Sequence, residues 1–296
     1  MKFTLDPNPY RVNGKTPFKI QKARTSLKQH LYKNAADLKT KLTAYQEAID
    51  ELQQKMYAQD RLAMLIILQA MDAAGKDGTL RHVMSGINPG GVEVYSFKRP
   101  SDEELDHDFL WRCSKVTPQR GHIGIFNRSY YEEVLVCKVH PEIVTKYQRL
   151  PAEATQKMGR FWKNRYRDIA NYETFLDCNG TKVVKFFLHV SKEEQKKRFI
   201  ERIDTPSKNW KFNTDDVKER ARWDDYMGAY EDAINETATP EAPWYVVPAD
   251  DKGDMRLIVS AVILQHLQSL NLQWPTLPAE QISSLAGAKA ALLAES

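Results

Sequence analysis

Apolar residues recur along the chain with two different periods, and each period predicts a type of element. Six apolar residues are spaced alternately four and three apart, which places them on one face of a helix of roughly six turns: Leu38, Leu42, Tyr45, Ile49, Leu52 and Met56. The continuous apolar run over residues 62–68 is instead typical of a strand buried on both faces in a parallel sheet. The pattern therefore predicts a long amphipathic helix followed by a central strand.

Four further short segments are rich in β-branched and aromatic residues and predict strands: 92–97, 122–127, 182–190 and 244–249. Helical stretches separate them. Two S-x-x-E capping boxes predict helix starts after the second and fourth strands: Ser101 with Glu104, and Ser191 with Glu194. Alternation of strand and helix predicts a doubly wound α/β fold with one largely parallel sheet.

Composition narrows the functional classes only slightly. With 296 residues and 42% hydrophobic content, the chain can bury one large core. Its net charge of +4 is too small to indicate a nucleic-acid partner. The N-terminus lacks a signal-peptide pattern, the longest apolar run is shorter than the ~20 residues of a membrane span, and the three cysteines lack metal or redox spacing. We expect a soluble cytoplasmic protein with reduced thiols.

The segment after the first predicted strand, "AMDAAGKDGT" at 70–79, has the position of a phosphate-binding loop. Gly75, Lys76 and Gly78 supply backbone amides at a helix N-terminus and a lysine that neutralises phosphate charge. Two positions depart from the G-x-x-x-x-G-K-[ST] pattern: Ala70 and Asp77. An ordinary glycine-bearing turn is the alternative, but the strand–loop–helix context favours phosphate binding.

Carboxylates within this loop are suited to magnesium. Asp72 and Asp77 offer hard oxygen ligands, and Thr79 adds a hydroxyl in the first helical turn. A second segment, "IFNRSYYEEVLV", begins at the carboxyl end of a predicted strand, where open α/β sheets bind ligands. Its Glu132 and Glu133 are equally well explained as site residues or as solvated helix residues.

A basic segment at 196–226 predicts a lid. Arg198 and Arg202 are four residues apart on one helix face, and a proline-containing loop with Lys208 and Lys211 separates that helix from the next. Such a segment can close over a phosphorylated substrate and supply arginines. Taken alone, the charges are more typical of solvated helix faces.

Four motifs together resemble the type-2 polyphosphate kinases over residues 15–270: "MDAAGKDGT", "FKRPSDEELDHDFLWR", "FNRSYYEE" and "PSKNWKFN". The resemblance implies a thymidylate-kinase-like P-loop fold, three-layered around a parallel five-stranded sheet, with a helical lid. It also implies Mg²⁺-dependent, reversible transfer of the terminal phosphoryl of inorganic polyphosphate to a nucleotide. Where one family group reads D-R-S-W-Y-N, this chain has N-R-S-Y-Y-E, which is similar to the group that accepts AMP and ADP and gives ADP and ATP.

The resemblance assigns roles to individual positions. It implies catalytic roles for Asp72, Lys76, Arg128 and Glu132, with Asp72 also the magnesium ligand. It implies phosphate binding by Ala73, Ala74, Gly75, Lys76, Asp77, Gly78, Thr79, Arg198, Arg202, Lys208 and Lys211. It implies nucleotide binding by Arg112, Asn127, Arg128 and Glu132.

The expected organisation has three parts: an N-terminal extension and helix (1–60), a phosphotransferase domain (61–270) and a C-terminal tail (271–296). The expected partners are polyphosphate, adenine nucleotides and further copies of the chain in a dimer or tetramer, without nucleic acid or membrane. An ATP-dependent nucleoside monophosphate kinase is the main alternative, and a donor comparison separates the two. A non-catalytic polyanion or RNA binder is disfavoured by the carboxylates in the loop, which repel phosphate unless a metal intervenes.

Overall fold

One sheet of six strands organises the chain. The computed structural model describes residues 4–295, apart from the side chain of Lys211. The strands lie in the order β1-β6-β5-β2-β4-β3, and only the β1–β6 pair is antiparallel. Their bounds are β1 Arg11–Val12, β2 Ala63–Ala70, β3 Val92–Ser96, β4 Ile123–Asn127, β5 Thr181–His189 and β6 Trp244–Pro248.

Twelve α-helices connect and flank these strands within residues 4–295. Seven helices lie between β1 and β5 in the chain: α1 Ala35–Gln59, α2 Lys76–Val83, α3 Asp102–Asp106, α4 Trp111–Ser114, α5 Val136–Val139, α6 Ala152–Thr155 and α7 Met158–Cys178. Those after β5 are α8 Lys192–Asp204, α9 Asp215–Ala221, α10 Trp223–Thr237, α11 Lys252–Ser269 and α12 Ala279–Ala294. Of these helices, none combines the length and apolar character needed to cross a membrane.

The predicted α/β fold is confirmed, with one correction to the sheet. All five predicted strands are present, and β2 is buried on both faces between β4 and β5, as its continuous apolar run requires. The parallel five-stranded sheet becomes a mixed six-stranded sheet because Arg11 and Val12 pair with Tyr245 and Trp244. A two-residue strand is too short to show any periodicity in the sequence.

The predicted amphipathic helix is α1, which begins after an Asn34 cap whose side chain accepts from the Asp37 amide. It packs against α11 and α2. Both capping boxes also mark helix starts: Ser101 caps α3, and the Ser191 hydroxyl accepts from the Glu194 amide at the start of α8.

Residues 5–34, which we call the N-terminal strap, cross the carboxyl ends of β5 and β6. The Phe18 amide donates to Asn235 on α10 at 2.7 Å, and the Thr25 carbonyl accepts from the Asp250 amide at 2.9 Å. Further along, the Leu31 amide and the His30 ring both bind the carboxylate of Asp254, at 2.8 Å each. The strap is thereby fixed beside the edge of the sheet where α/β proteins bind ligands.

The chain ends differently from its core. Helix α11 buries most of its side chains against the sheet, and Leu272 just after it is 4% exposed. Helix α12 buries none of its residues. The segment predicted as a separate tail therefore has a buried residue near its start, Leu272, and continues into a helix without buried side chains.

Candidate active site

The glycine loop connects β2 to α2 in a conformation that depends on two residues with positive φ. Gly75, the residue before α2, has φ 109°, and Ala73 has φ 61°. A Cβ at Gly75 would lie 3.3 Å from Met255 Cε, so the loop packs closely on α11. Ala74 is fully buried beneath it. The loop brings Lys76 to the first turn of α2, in agreement with the predicted strand–loop–helix unit.

Lys76 lies folded back over this loop. Its ammonium donates to the Ala70 carbonyl at 2.8 Å. Burial, and after it the neighbouring Arg128 cation, lower the pKa of Lys76 to about 8, although the carboxylates of Asp72 and Glu132 act in the opposite direction. The protonated amine is therefore short of negative charge, which a bound phosphate would supply.

Arg128 joins the loop to the end of β4. It has φ 64°, which is uncommon for a residue with a side chain, and its amide donates to Leu68 on β2. Its guanidinium donates to Asp72 at 2.8 Å and to Glu132 at 3.2 Å. The preceding Asn127 donates its side-chain amide to Asp77 on α2 at 2.8 Å. The structure thus brings together five residues predicted for the site from two distant segments.

Glu132 and its neighbour Glu133 face different surroundings. Glu132 contacts Arg128 and lines the two cavities described below. The Glu133 side chain is 5% exposed and accepts from Arg165 at 2.9 Å and from Gln148 at 2.5 Å. Both glutamates line the second of these cavities, but Glu132 alone of the two contacts Arg128 and lines the first, whereas Glu133 is held in a buried ion pair with Arg165.

Two adjoining cavities meet at the Arg128–Glu132 pair, and Val136, Ile143 and Tyr147 also line both of them. The first, the loop cavity, has a volume of about 420 Å³ and is lined by Asp72, Arg128, Glu132, His140, Glu219, Tyr226 and Tyr230 among others. The second, the Arg112 cavity, has a volume of about 440 Å³ and is lined by Lys98, Arg99, Arg112, Val136, Ile143 and Tyr147 among others. Two substrates bound in these cavities would meet at Arg128.

The Arg112 cavity combines cations with apolar walls. Within the described chain, Lys98 and Arg99 have no ion-pair partner. Arg112 itself is 8% exposed and donates to the Lys98 carbonyl at 2.7 Å, with Glu104 at 3.6 Å. Arg112 therefore shapes the wall that carries Lys98. The predicted nucleotide-binding Arg112 lies next to two cations, Lys98 and Arg99, that the sequence places at a strand end without assigning them a role.

Arg198 is placed beneath the loop. It makes five hydrogen bonds, one from Nε to Glu194 and the others to the backbone carbonyls of Ala73, Ala74, Ala249 and Asp250. At 5% exposure its guanidinium is enclosed by these partners. A contact between Arg198 and phosphate, as the sequence predicts, requires it to exchange a carbonyl for the ligand.

The other predicted phosphate-binding residues occupy three kinds of position. Thr79 is buried and donates to the Gly75 carbonyl at 3.0 Å, while Gly78 lies in the first turn of α2. Arg202 packs over the Phe199 ring at 5.7 Å, and Lys208 pairs with Glu201 at 2.5 Å in the exposed segment that the sequence predicts as a lid. The side chain of Lys211 lies outside the described part of the chain.

Several lining residues were not predicted. Tyr226 and Tyr230 from α10 close the loop cavity with Glu219 from α9, whose carboxylate accepts from the His140 ring at 2.9 Å. Gln195 donates to the Asp72 carbonyl at 3.0 Å. The charged sequence of α9 and α10 does not indicate which of their side chains face the cavity, because that depends on how the two helices pack across the sheet.

Comparison with known proteins gives consistent matches. A family model described as "Polyphosphate kinase 2 (PPK2)" matches residues 32–275. An ADP-polyphosphate phosphotransferase from Rhodopseudomonas palustris is 53% identical over 273 residues, which is 90% of each chain. An AMP/ADP-polyphosphate phosphotransferase from Meiothermus ruber is 43% identical over 79% of this chain and 82% of its own length.

A crystal structure of polyphosphate kinase 2 from Arthrobacter aurescens TC1 superimposes with a TM-score of 0.85 at 39% identity. The alignment covers 100% of this chain and 99% of that one. The similarity therefore extends over the fold that carries the loop and the two cavities.

Proposed function

The chain belongs to the polyphosphate kinase 2 family, and on that premise we propose that it transfers the terminal phosphoryl group of inorganic polyphosphate to ADP, giving ATP. The observation that carries this proposal is the junction of two cavities at Arg128, with the glycine loop and Lys76 on one side. Donor phosphates at the loop and a nucleotide in the Arg112 cavity would place the transferred group beside a fixed cation. Such positioning and charge compensation supply most of the catalysis in phosphoryl transfer.

Each residue at the junction has a physical role in this reaction. Lys76 releases the Ala70 carbonyl and binds a donor phosphate instead. The phosphate then supplies the negative charge that stabilises the buried ammonium group. Arg128 binds the phosphoryl group during its transfer, because its guanidinium already lines both cavities. Asp72 and Glu132 hold that guanidinium in place until phosphates enter. The loop amides at the start of α2 bind the donor's oxygens.

Magnesium fits the residues on the donor side. The Asp72 carboxylate is 34% exposed, lines the loop cavity and uses one oxygen for Arg128. Mg²⁺ is typically held by one or two carboxylates together with substrate phosphates and water, so Asp72 alone can anchor it here. When bound, it neutralises phosphate oxygens during transfer.

The acceptor binds in the Arg112 cavity. Lys98 and Arg99 face the acceptor's phosphates, and the apolar side chains of Val136, Ile143 and Tyr147 contact its base. ADP is the main acceptor proposed, since the relative at 53% identity is named for ADP. We propose AMP as a second acceptor, because the N-R-S-Y-Y-E segment and the relative named for AMP and ADP both favour it.

The test compares donors and acceptors with the full chain. Purified protein, magnesium and long-chain polyphosphate are mixed with ADP or with AMP, and the nucleotides are separated by chromatography. ATP from ADP supports the proposal, and ADP from AMP supports the second acceptor. Product that forms only when ATP replaces polyphosphate would reassign the chain to nucleoside monophosphate kinases.

Two variants sharpen the test. Lys76→Ala is expected to lower kcat by roughly 10²–10³-fold, which is the usual effect of removing one hydrogen-bond donor that stabilises charge in the transition state. Lys98→Gln is expected to raise KM for the nucleotide while KM for polyphosphate stays the same. An equal rise in both constants would contradict separate donor and acceptor cavities.

A further inference from the structure

The excess positive charge of the protein lies in the N-terminal strap. Residues 5–34 contain seven lysines and arginines against one acidic residue, Asp6. The whole chain has 43 basic and 39 acidic residues, so the remainder carries 36 basic against 38 acidic ones. A nearly neutral protein thus concentrates cations in one segment, as expected for a surface that attracts a polyanion.

This strap lies close to the glycine loop. Arg198 donates to the Ala74 carbonyl of the loop and to the Asp250 carbonyl after β6, at 2.8 Å each. The Asp250 amide in turn donates to the Thr25 carbonyl of the strap at 2.9 Å. Only Arg198 and Asp250 therefore separate the loop from the middle of the strap.

Arg81 on α2 and Arg256 on α11 are neighbouring cations where these two helices pack together, with the carboxylate of Asp251 also near Arg256. Arg256 Nη2 is 3.9 Å from the position of a Cβ at Gly78, and Arg256 Nε is buried with no hydrogen-bond partner within the described chain. Burial and the neighbouring Arg81 both lower the pKa of Arg256. Adjacent cations that form no ion pair within the described chain make this side of the loop favourable for phosphate.

The strap encloses a basic cavity of about 570 Å³ against β6, which we call the strap cavity. Its cationic lining residues are Arg11, Lys19, Lys22 and Arg24, and no acidic residue lines it. Arg11 donates to the Pro240 carbonyl and Lys19 pairs with Glu231. Lys22 and Arg24 have no ion-pair partner within residues 4–295 and are exposed into a concave site.

Resting on the proposed function, we propose that Lys22 and Arg24 bind distal phosphates of a polyphosphate chain whose terminal phosphoryl lies at the glycine loop. The strap then acts as a second donor subsite. A long chain spans both sites, whereas tripolyphosphate occupies the loop alone. Affinity for the donor therefore rises with chain length, because the distal contacts become intramolecular once the end is bound.

The test removes the two cations and keeps a matched control. Lys22→Gln combined with Arg24→Gln is compared with Lys15→Gln combined with Lys28→Gln, which removes the same charge from strap residues that do not line the cavity. KM and kcat are measured with long-chain polyphosphate and with tripolyphosphate at saturating ADP. Thermal melts verify that both variants are folded.

The expected result is specific to long chains. KM for long-chain polyphosphate rises about fivefold in the Lys22/Arg24 variant, as for two partly screened contacts. The slope of log KM against log salt falls by roughly 1.4, about 0.7 for each lost contact with a flexible polyanion. KM for tripolyphosphate, KM for ADP and kcat stay the same, and the control variant matches the wild type.

Equal effects of the two variants, or equal shifts for long and short donors, would overturn the strap subsite. Direct titration with long-chain polyphosphate, without nucleotide, separates this outcome from failure of the proposed function. If the wild type transfers no phosphoryl group, weaker binding by the Lys22/Arg24 variant still supports the subsite, and equal binding refutes it.

Discussion

Arg128 combines a backbone constraint with an electrostatic one. A positive φ in a residue other than glycine costs on the order of 1–3 kcal/mol and persists only where surrounding contacts compensate. Here the compensation comes from the bond of its amide to Leu68 and from two carboxylates, Asp72 and Glu132. The bend directs the guanidinium back over the glycine loop, where an extended residue would continue away from it.

The adjacent glutamates provide a test of this arrangement. Glu132→Gln is expected to lower kcat/KM by about tenfold or more with little change in Tm, because it frees Arg128 without disturbing the core. Glu133→Gln is expected to lower stability by about 3–5 kcal/mol, because Arg165 loses its buried counter-ion. Chemical unfolding and initial rates on both variants provide the measurement. The reverse pattern would show that Glu133 serves the site.

Lys76 gives the reaction a pH dependence. Its pKa of about 8 means that the free enzyme loses the ammonium charge as pH rises above that value. Since kcat/KM reports groups of the free enzyme, kcat/KM for polyphosphate should fall as pH rises through about 8. Lys76→Arg keeps its charge at that pH and should remove this limb of the profile. A limb that persists in this variant would assign the titration to another group.

At the scale of elements, Arg198 makes α8 part of the loop's support. Four carbonyls from the glycine loop and the end of β6 are bound to one side chain at the middle of α8. The start of α8 therefore cannot move without breaking those bonds. A lid motion must be confined to the segment beyond it, residues 205–222, which includes the exposed Trp210 and Val217.

Replacement of Arg198 separates support of the loop from phosphate binding. Arg198→Lys is expected to lower the unfolding free energy by about 2–4 kcal/mol, because buried carbonyls lose their donors. Arg202→Lys, four residues later and more exposed, should change stability by less than about 0.5 kcal/mol and raise KM for polyphosphate. Thermal melts measure the change in stability, and initial rates at varied polyphosphate concentration measure KM. An unchanged melt for Arg198→Lys would show that the carbonyl bonds do not stabilise the loop.

At the scale of the whole molecule, the sequence predicted the features that depend on neighbouring residues, whereas contacts between distant parts of the chain became visible only in the fold. The α1 stripe, the buried run of β2 and the Ser101 box follow from residues within one or two turns of each other. Strand β1 could not be predicted in this way, since two residues are too few to show an alternation of apolar and polar positions. Neither could the contact of Gln195 with Asp72, which joins residues 123 positions apart in the chain.

The same limit explains the two glutamates and the lid arginine. Glu132 and Glu133 have the same chemistry and adjacent positions, and only the packing of α7, which brings Arg165 to Glu133, distinguishes them. Arg198 has the spacing of a lid residue, yet carbonyls from two distant loops converge on it. Backbone acceptors carry no sequence signal, so an arginine that binds them is indistinguishable from one that binds phosphate.

The C-terminal tail permits a prediction about the molecule as a unit. Helix α12 buries no side chain, and Ile282, Leu285, Leu292 and Leu293 are all more than half exposed. Deletion of residues 275–296 should therefore leave Tm and kcat unchanged. Deletion of residues 272–296 removes the buried Leu272 as well and should cost about 2–3 kcal/mol.

Thermal melts at several protein concentrations distinguish a free tail from one that binds a second copy. If the shorter deletion lowers Tm, and the wild-type Tm rises with protein concentration, the tail packs between chains, since association stabilises the folded state by mass action. That result would support the expected homo-oligomer and locate its interface at α12. An unchanged Tm at every concentration would instead contradict the expected homo-oligomer, because association through any surface of the folded chain should raise Tm with protein concentration.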